Sequence, residues 1–107
     1  MGIELSFADS RLREICENFT KAKKTFGKDI AEQIYSRLLD LKACEILSDF
    51  PFVIYEENKE KFFLIDSKHK VFFFHNHLSP PINNQVDIDW ANMKRIKILR
   101  IEVRNDG

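Results

Sequence analysis

The sequence predicts an α+β domain in which a helical hairpin packs on a mostly antiparallel sheet. Three observations lead to this fold class. Apolar residues keep helical spacing through most of the first 41 residues. Short aromatic and β-branched runs follow Pro51, with polar connections of hairpin length between them. In the last part of the sequence, from about residue 99 to 104, apolar and charged side chains alternate. Helices that precede a run of strands are typical of a sheet covered by helices on one face.

The first strand and the first helix are predicted from alternation and capping. Residues 2–7 alternate apolar and polar side chains, which is typical of a strand. Asp9 or Ser10 can cap the helix that follows, because either side-chain oxygen can accept from free backbone N–H groups. Helical spacing continues to Phe26, and Gly27 supplies the positive φ that ends such a helix.

A second helix completes the helical hairpin. Asp29 is its predicted cap. Its apolar stripe consists of Ile30, Ile34, Leu38 and Leu41. We interpret this stripe as core and not as a binding site.

Three short runs then predict an antiparallel meander. They are residues 52–55, 62–65 and 71–74, joined by the polar connections 56–61 and 66–70. The second and third runs are apolar on both sides. One side is expected to pack on the helices, and the other must be covered by a loop or a partner chain, or else remain exposed.

The last third of the chain predicts a loop, a short helix and a final strand. Residues 78–86 contain paired prolines and asparagines and are expected to form the loop. The short helix is predicted at residues 89–93 and the strand from 95 or 96 to about 103. On one side of this strand lie Leu99, Ile101 and Val103, and on the other Ile96 and Ile98 give way to Arg100, Glu102 and Arg104. The order is β-α-α-β-β-β-(short α)-β.

Composition places few constraints on function. The 107 residues are expected to form a single domain, 1–107, with a net charge of zero, which argues against a global attraction to nucleic acid. Residues 59–107 carry 9 Lys and Arg against 6 Asp and Glu, so a small basic face for phosphate is compatible with this half.

The chain is expected to be cytoplasmic. No run is long enough to span a membrane, and the first residues lack the layout of a signal peptide. Cys16 and Cys44 are isolated and are interpreted as buried apolar residues in a reducing compartment. A disulfide or a reactive thiol is the alternative.

Two stretches resemble a known family. Residues 26–43, FGKDIAEQIYSRLLDLKA, are similar to an aromatic-Gly, Ala and Arg-Leu-x-x-Leu second helix. Residues 88–102, IDWANMKRIKILRIE, are similar to a Leu-Asp-Trp, Ile-x-Ile-Leu, Ile-x-Asp ending. Both are signatures of the RelE/ParE superfamily of toxins, and most closely of its HigB-like, plasmid maintenance killer branch. The predicted order of elements is also that of the superfamily.

The resemblance implies the toxin of a type II toxin–antitoxin pair. It implies a helix-turn-helix antitoxin as partner, no cofactor and no membrane, and often a ribosome-dependent mRNA endonuclease activity. Such cleavage needs groups that move protons and a cation that stabilises the extra negative charge.

The family's catalytic positions are the ones that differ here. Its middle hairpin, His-x-Leu-Lys-Gly-Asp-Arg-x-Gly, matches residues 52–60, FVIYEENKE, so Tyr55 replaces the lysine and Asn58 the arginine. Its strand arginine falls near Lys70 or Val71. Its terminal Asp-Tyr-His falls at Val103, Arg104 and Asn105. Only Lys70 and Arg104 conserve charge.

Nine basic residues form the candidate site. The catalytic candidates are Arg104, Lys70, His75 and Lys61, and the RNA-binding candidates are Lys59, Lys68, His69, His77 and Arg100. Replacing Arg104 or Lys70 with alanine is expected to relieve toxicity. Each candidate also has a structural interpretation: lysines in hairpin turns are commonly solvated, and Arg100, Glu102 and Arg104 can form an ion-pair ladder.

Other functions remain open at this stage. A toxin fold without nuclease activity would act as a binding module, either as an antitoxin partner or as a poison of another target such as gyrase. His75 and His77 have the spacing of two zinc ligands but lack two more. Trp90 is interpreted as a core residue. The phenylalanine-rich outer face is expected to receive an antitoxin segment in preference to RNA, since it lacks adjacent basic residues.

Overall fold

A computed structural model describes residues 2–85 and 87–104 and begins with a strand and three consecutive helices. They are β1 (Glu4–Phe7), α1 (Ser10–Glu17), α2 (Phe19–Phe26) and α3 (Lys28–Ala43). The predicted α+β class is confirmed. Val86 in the predicted loop and Asn105 at the family's terminal motif lie outside the described residues.

The first predicted helix is in fact two helices. Asp9 does cap α1, since its Oδ1 accepts from the backbone N–H of Leu12 at 2.8 Å. The helix ends at Asn18, whose backbone is extended at φ −112° and ψ 104°. The Asn18 side chain then accepts from the N–H of Lys21 at 3.3 Å and caps α2. The single-helix prediction was wrong because an asparagine that caps a helix can interrupt a continuous apolar stripe.

Gly27 joins α2 to α3 without a loop. Its φ of 87° and ψ of 164° end one helix and begin the next, so Asp29 lies in the first turn of α3 and is not its cap. The Gly27 N–H donates to the carbonyl of Lys23 at 2.8 Å, and its own carbonyl accepts from Ala31 at 3.0 Å. Only glycine adopts this backbone conformation at little cost.

Replacing Gly27 with alanine is expected to lower the free energy of unfolding by about 1–3 kcal/mol, the cost of backbone strain alone. A Cβ at this position would meet no atom within 4 Å, so no steric clash contributes. Urea unfolding measures the change, and Lys28→Ala at the next position is the matched control. Equal midpoints for the two variants would contradict the strain.

The described residues form a five-stranded sheet in the order β1-β5-β4-β3-β2. The remaining strands are β2 (Tyr55–Glu57), β3 (Glu60–Leu64), β4 (His69–His75) and β5 (Arg95–Val103), and Trp90–Asn92 is a short 3-10 helix. β1 is parallel to β5, and all other pairs are antiparallel. The mostly antiparallel sheet is therefore confirmed.

The first meander strand starts later than predicted. Residues 52–54 precede β2, and Phe52 packs on Phe50 with ring centroids 5.3 Å apart. Asn58 and Lys59 have φ values of 52° and 69°. Positive φ at two successive residues makes a two-residue hairpin turn, which fixes the strand on either side of it.

A bulge interrupts the alternation of β5. The pairs on either side of it are Phe72 with Arg100 and Phe73 with Ile98. Leu99 is the extra residue, so the side chains beyond it change sides. Ile101 therefore packs against the same core as Ile98. The predicted assignment of Ile98 and Arg100 to one side was wrong for this reason.

The helix-facing side of the sheet forms the core. Its fully buried side chains are Phe63, Phe73, Ile34, Leu41, Met93, Ile96, Ile98 and Val71. Cys16 and Cys44 are buried free thiols, which confirms their predicted role as apolar residues. Burial raises the pKa of Cys16 to about 12, so it is not a thiolate at neutral pH.

The outer side of the sheet is covered by the chain's own side chains. Phe62 and Phe72 are 8% and 1% exposed. The Tyr55 ring stacks on Phe62 at 5.2 Å, and Lys70 Nζ lies 4.7 Å from the centre of the Phe62 ring. The guanidinium of Arg100 lies 4.2 Å from the Phe72 ring. These cations and the tyrosine shield the two rings, so they do not form the open antitoxin groove expected from the sequence.

Candidate functional site

Eight of the nine candidate residues divide between opposite ends of the sheet. Lys59, Lys61, His75 and His77, together with Trp90, form what we call the histidine end. Lys68, His69, Lys70 and Arg104 form the Asp66 end. β4 connects the two ends, and its seven residues span about 20 Å. Arg104 is therefore too far from His75 to share a catalytic centre with it, and Lys70 lies over Phe62 on the outer side of the sheet, so the four catalytic candidates do not all meet.

Asp66 organises the turn at its end of the sheet. Its Oδ1 lies 2.8 Å from the backbone nitrogens of Lys68 and His69 and from His69 Nδ1. Burial acts to raise the pKa of this carboxyl, but the hydrogen bonds outweigh it and the pKa is lowered. The His69 ring also meets Phe26 edge-on at 5.9 Å. His69 is therefore a structural residue of the turn.

The two candidates that conserve the family's charge both start from this end of the sheet, but the Lys70 side chain extends away from the turn. Lys70 Nζ pairs with Glu57 Oε2 at 3.3 Å. The backbone N–H of Arg104 donates to the carbonyl of Lys68 at 2.7 Å, so these two basic residues are neighbours. This end presents cations to solvent, but its histidine is held by Asp66.

Arg100 lies between the two ends and is held by carboxylates. Its Nη1 and Nη2 donate to Glu60 at 3.1 and 2.7 Å, and its Nε donates to Glu102 at 2.5 Å. The hydrogen bond to Arg100 lowers the pKa of Glu60, and it raises that of the guanidinium. The ion-pair interpretation of Arg100 and Glu102 is confirmed, and Glu60 is the partner that the sequence did not reveal.

The histidine end combines an imidazole, a cation and aromatic rings. The His75 ring lies 6.0 Å from Trp90 and 4.6 Å from Phe74. Lys61 Nζ is 5.2 Å from the centre of the Trp90 ring and 2.8 Å from Glu56 Oε1. Trp90 packs against the core, as expected, and its partly exposed ring also forms the floor of this cluster.

His77 secures the start of β5. Its Nε2 accepts from the backbone N–H groups of Lys94 and Arg95 at 3.2 and 3.0 Å. Nε2 must be unprotonated to accept, so the ring is neutral with its proton on Nδ1. Burial, with nearby Arg95, His75 and Lys94, lowers the pKa of His77. This ring therefore has a structural role, and the RNA contact expected from the sequence stays a prediction.

The lowered pKa predicts acid sensitivity. Because the folded-state pKa of His77 is below its ordinary value of 6.5, the unfolded chain takes up the proton first as the pH falls. Its contribution to stability is complete above about pH 6.5 and is lost as the pH falls through the folded-state pKa. Urea unfolding between about pH 7.5 and about pH 5 should show a smaller acid loss in His77→Gln, whose amide oxygen can still accept. If the free energy of unfolding falls with pH equally in His77→Gln and in the native chain, a neutral His77 ring with its proton on Nδ1 is contradicted.

Two further properties bear on the alternatives. Within residues 2–85 and 87–104, no three histidine, cysteine or carboxylate side chains are placed to hold one metal ion. His75 Nδ1 instead accepts from the backbone N–H of His77 at 3.3 Å. The helices in the described part of the chain are all too short or too polar to cross a membrane.

Comparisons with known proteins give no family assignment. A scan against protein-family models finds no match, and searches of curated proteins and of solved structures find no similar protein.

Sequence reasoning missed two members of the histidine end. Phe74 supplies a second ring, and Glu56 supplies the carboxylate that pairs with Lys61. A two-residue turn at Asn58 and Lys59 places positions 56 and 61 opposite each other. The Asn-Lys pair was the available signal for that turn.

Proposed function

We propose that the chain is a HigB-like toxin of the RelE/ParE superfamily that cleaves mRNA at the ribosome, with the histidine end as its RNA site. One observation carries the choice of site: an imidazole and a lysine ammonium lie against the same tryptophan ring. RNA cleavage without a metal requires proton transfer and charge stabilisation, and an aromatic ring on which a base can stack positions the substrate.

Each group has a definite task in this proposal. The 2′-oxygen of a nucleotide attacks the adjacent phosphorus and the bond to the 5′-oxygen breaks, which needs one proton removed and one donated. His75 removes the proton of the attacking 2′-hydroxyl, since histidine is the residue type suited to proton exchange near neutral pH, and solvent water protonates the departing 5′-oxygen. Lys61 stabilises the extra negative charge, and a base stacks on the exposed surface of Trp90 and Phe74.

The proposal is tested by expressing the chain alone under tight induction and mapping mRNA 5′ ends. Growth arrest with new ends inside translated reading frames supports a ribosome-dependent nuclease. A cognate helix-turn-helix antitoxin, expressed together with the chain, should restore growth. Growth without arrest would overturn the toxin assignment.

A toxin-fold binding module without nuclease activity is the second candidate. One observation favours it: several of the basic candidates already have carboxylate partners. These pairs are Lys61 with Glu56, Lys70 with Glu57, His69 with Asp66, and Arg100 with Glu60. A carboxylate competes with phosphate for the same cation. Arrest with intact mRNA would support this candidate and direct the search to another target, gyrase first.

A further inference from the structure

β1 leaves half of its backbone hydrogen-bonding groups facing outward. It is an edge strand, paired only with β5. The N–H of Glu4 donates to the carbonyl of Lys94, just before β5, and the N–H of Ala8 donates to the carbonyl of Ile98 in β5, each at 2.9 Å. Because these groups alternate along a strand, the N–H and C=O of Leu5 and Phe7 point to the open edge. Such an edge can pair with another chain.

The open edge is flanked by grooves on the helix side of the sheet. A groove of about 870 Å³ runs beside Leu5 and Lys42. A smaller one, of about 190 Å³, is lined by Phe7, Tyr35 and Leu39. Tyr35 and Leu39 are each 47% exposed, which is unusual for large apolar side chains of a helix next to a strand edge. The edge thus has both hydrogen-bonding groups and an apolar flank.

We propose that β1 pairs antiparallel with β1 of a second copy of this chain, about a two-fold axis at Ser6. The pairing follows from the spacing of the outward-facing residues. Leu5 and Phe7 are equidistant from Ser6, so the axis places Leu5 of each copy opposite Phe7 of the other. Each of these two Leu5–Phe7 pairs then forms two backbone hydrogen bonds. An axis normal to the sheet keeps the helices of both copies on one side and brings their Leu39 side chains toward each other.

Charge at the two ends of the edge agrees with this orientation. Two internal pairs, Arg95 with Glu4 and Arg13 with Glu17, each close at 3.2 Å. Apart from these pairs, the charged residues that line the groove at the start of β1 are Lys42, Lys94 and Glu45, which give it a net positive charge. A third groove, at the other end of β1 beside Phe7 and Ser10, is left with the Asp9 carboxylate. The two-fold axis brings the positive end of one copy to the negative end of the other, which favours a second copy over an unrelated extended peptide.

A cysteine at position 6 tests the register directly. Ser6 would face its counterpart in a pair without mutual hydrogen bonds, at a Cα separation of about 4.5 Å, which a disulfide can bridge. Oxidised Ser6→Cys should run as a covalent dimer of twice 12.7 kDa on a non-reducing gel, and Ser10→Cys should not. A monomeric Ser6→Cys protein after oxidation would overturn the proposal.

Hydrogen exchange of the native chain tests the same pairing without a mutation. Protection of the Leu5 and Phe7 amides should rise with protein concentration, while the Ser6 amide, which points to β5, stays protected throughout. Leu39→Lys should raise the dimer dissociation constant at least about tenfold, the effect of one misplaced charge. Val53→Lys, at the opposite edge of the sheet, should leave it unchanged. Leu5 and Phe7 amides that gain protection only with a different protein bound would also overturn the proposal.

Discussion

Replacing His75 with alanine is expected to reduce mRNA cleavage by about 10²–10⁴-fold, the usual contribution of one proton-transfer group. Lys61→Met should have a large effect as well, because the Lys61 ammonium lies over the same tryptophan ring. Cleavage is measured as the rate at which new 5′ ends appear in a translated message. Lys24→Ala, an exposed cation on α2, is the control for a simple loss of positive charge.

Substitutions at the Asp66 end are expected to have little effect on cleavage. The family resemblance leads one to expect that Lys70→Ala or Arg104→Ala relieves toxicity. In the structure Lys70 lies five positions before His75 on β4, about 16 Å along the strand, and Arg104, which bonds to Lys68, lies further away. If those two variants abolish cleavage and His75→Ala does not, the active site lies at the Asp66 end. Each variant must unfold in urea at a midpoint near that of the native chain, so that lost activity is not lost folding.

The elements that sequence could predict are those set by local periodicity. The alternation in β1, the apolar stripe of α3 and the Asp9 cap each follow from a few neighbouring residues. The break at Asn18 and the bulge at Leu99 do not, because the apolar pattern continues across both. The Asn18 side chain interrupts the helix by capping the next one, and the extra residue Leu99 shifts the pairing of β5 with β4. Periodicity of apolar residues records neither event.

The site was harder to predict than the fold because its contacts are distant in sequence. Arg100 and Glu60 form a bidentate pair across forty positions. Lys59 and Lys68 look like one cluster in the sequence, but successive turns of a meander lie at opposite ends of the strands. That rule needs only the predicted strand order, and it is sufficient to separate the two lysines into different clusters.

Replacing Phe63 with alanine is expected to lower the free energy of unfolding by about 3–5 kcal/mol, because the cavity left by a fully buried ring cannot close. Phe63 is 0% exposed and lies between Phe50 at 5.2 Å and Phe73 at 6.0 Å, ring centre to ring centre. Domains of this size have about 5–15 kcal/mol in total, so the variant should lose a large share of its stability. The urea midpoint measures the loss.

Phe62→Ala is the matched control, since it removes the same ring from the other side of the same strand. Phe62 is covered by Tyr55 and Lys70, whose partly exposed side chains can fold into the space or admit water. We therefore expect a smaller loss of about 1.5–3 kcal/mol, the transfer term without a sealed cavity. Equal losses for the two variants would mean that the outer side of the sheet is packed as tightly as the core, and that Tyr55, Lys70 and Arg100 are fixed parts of it instead of a mobile cover.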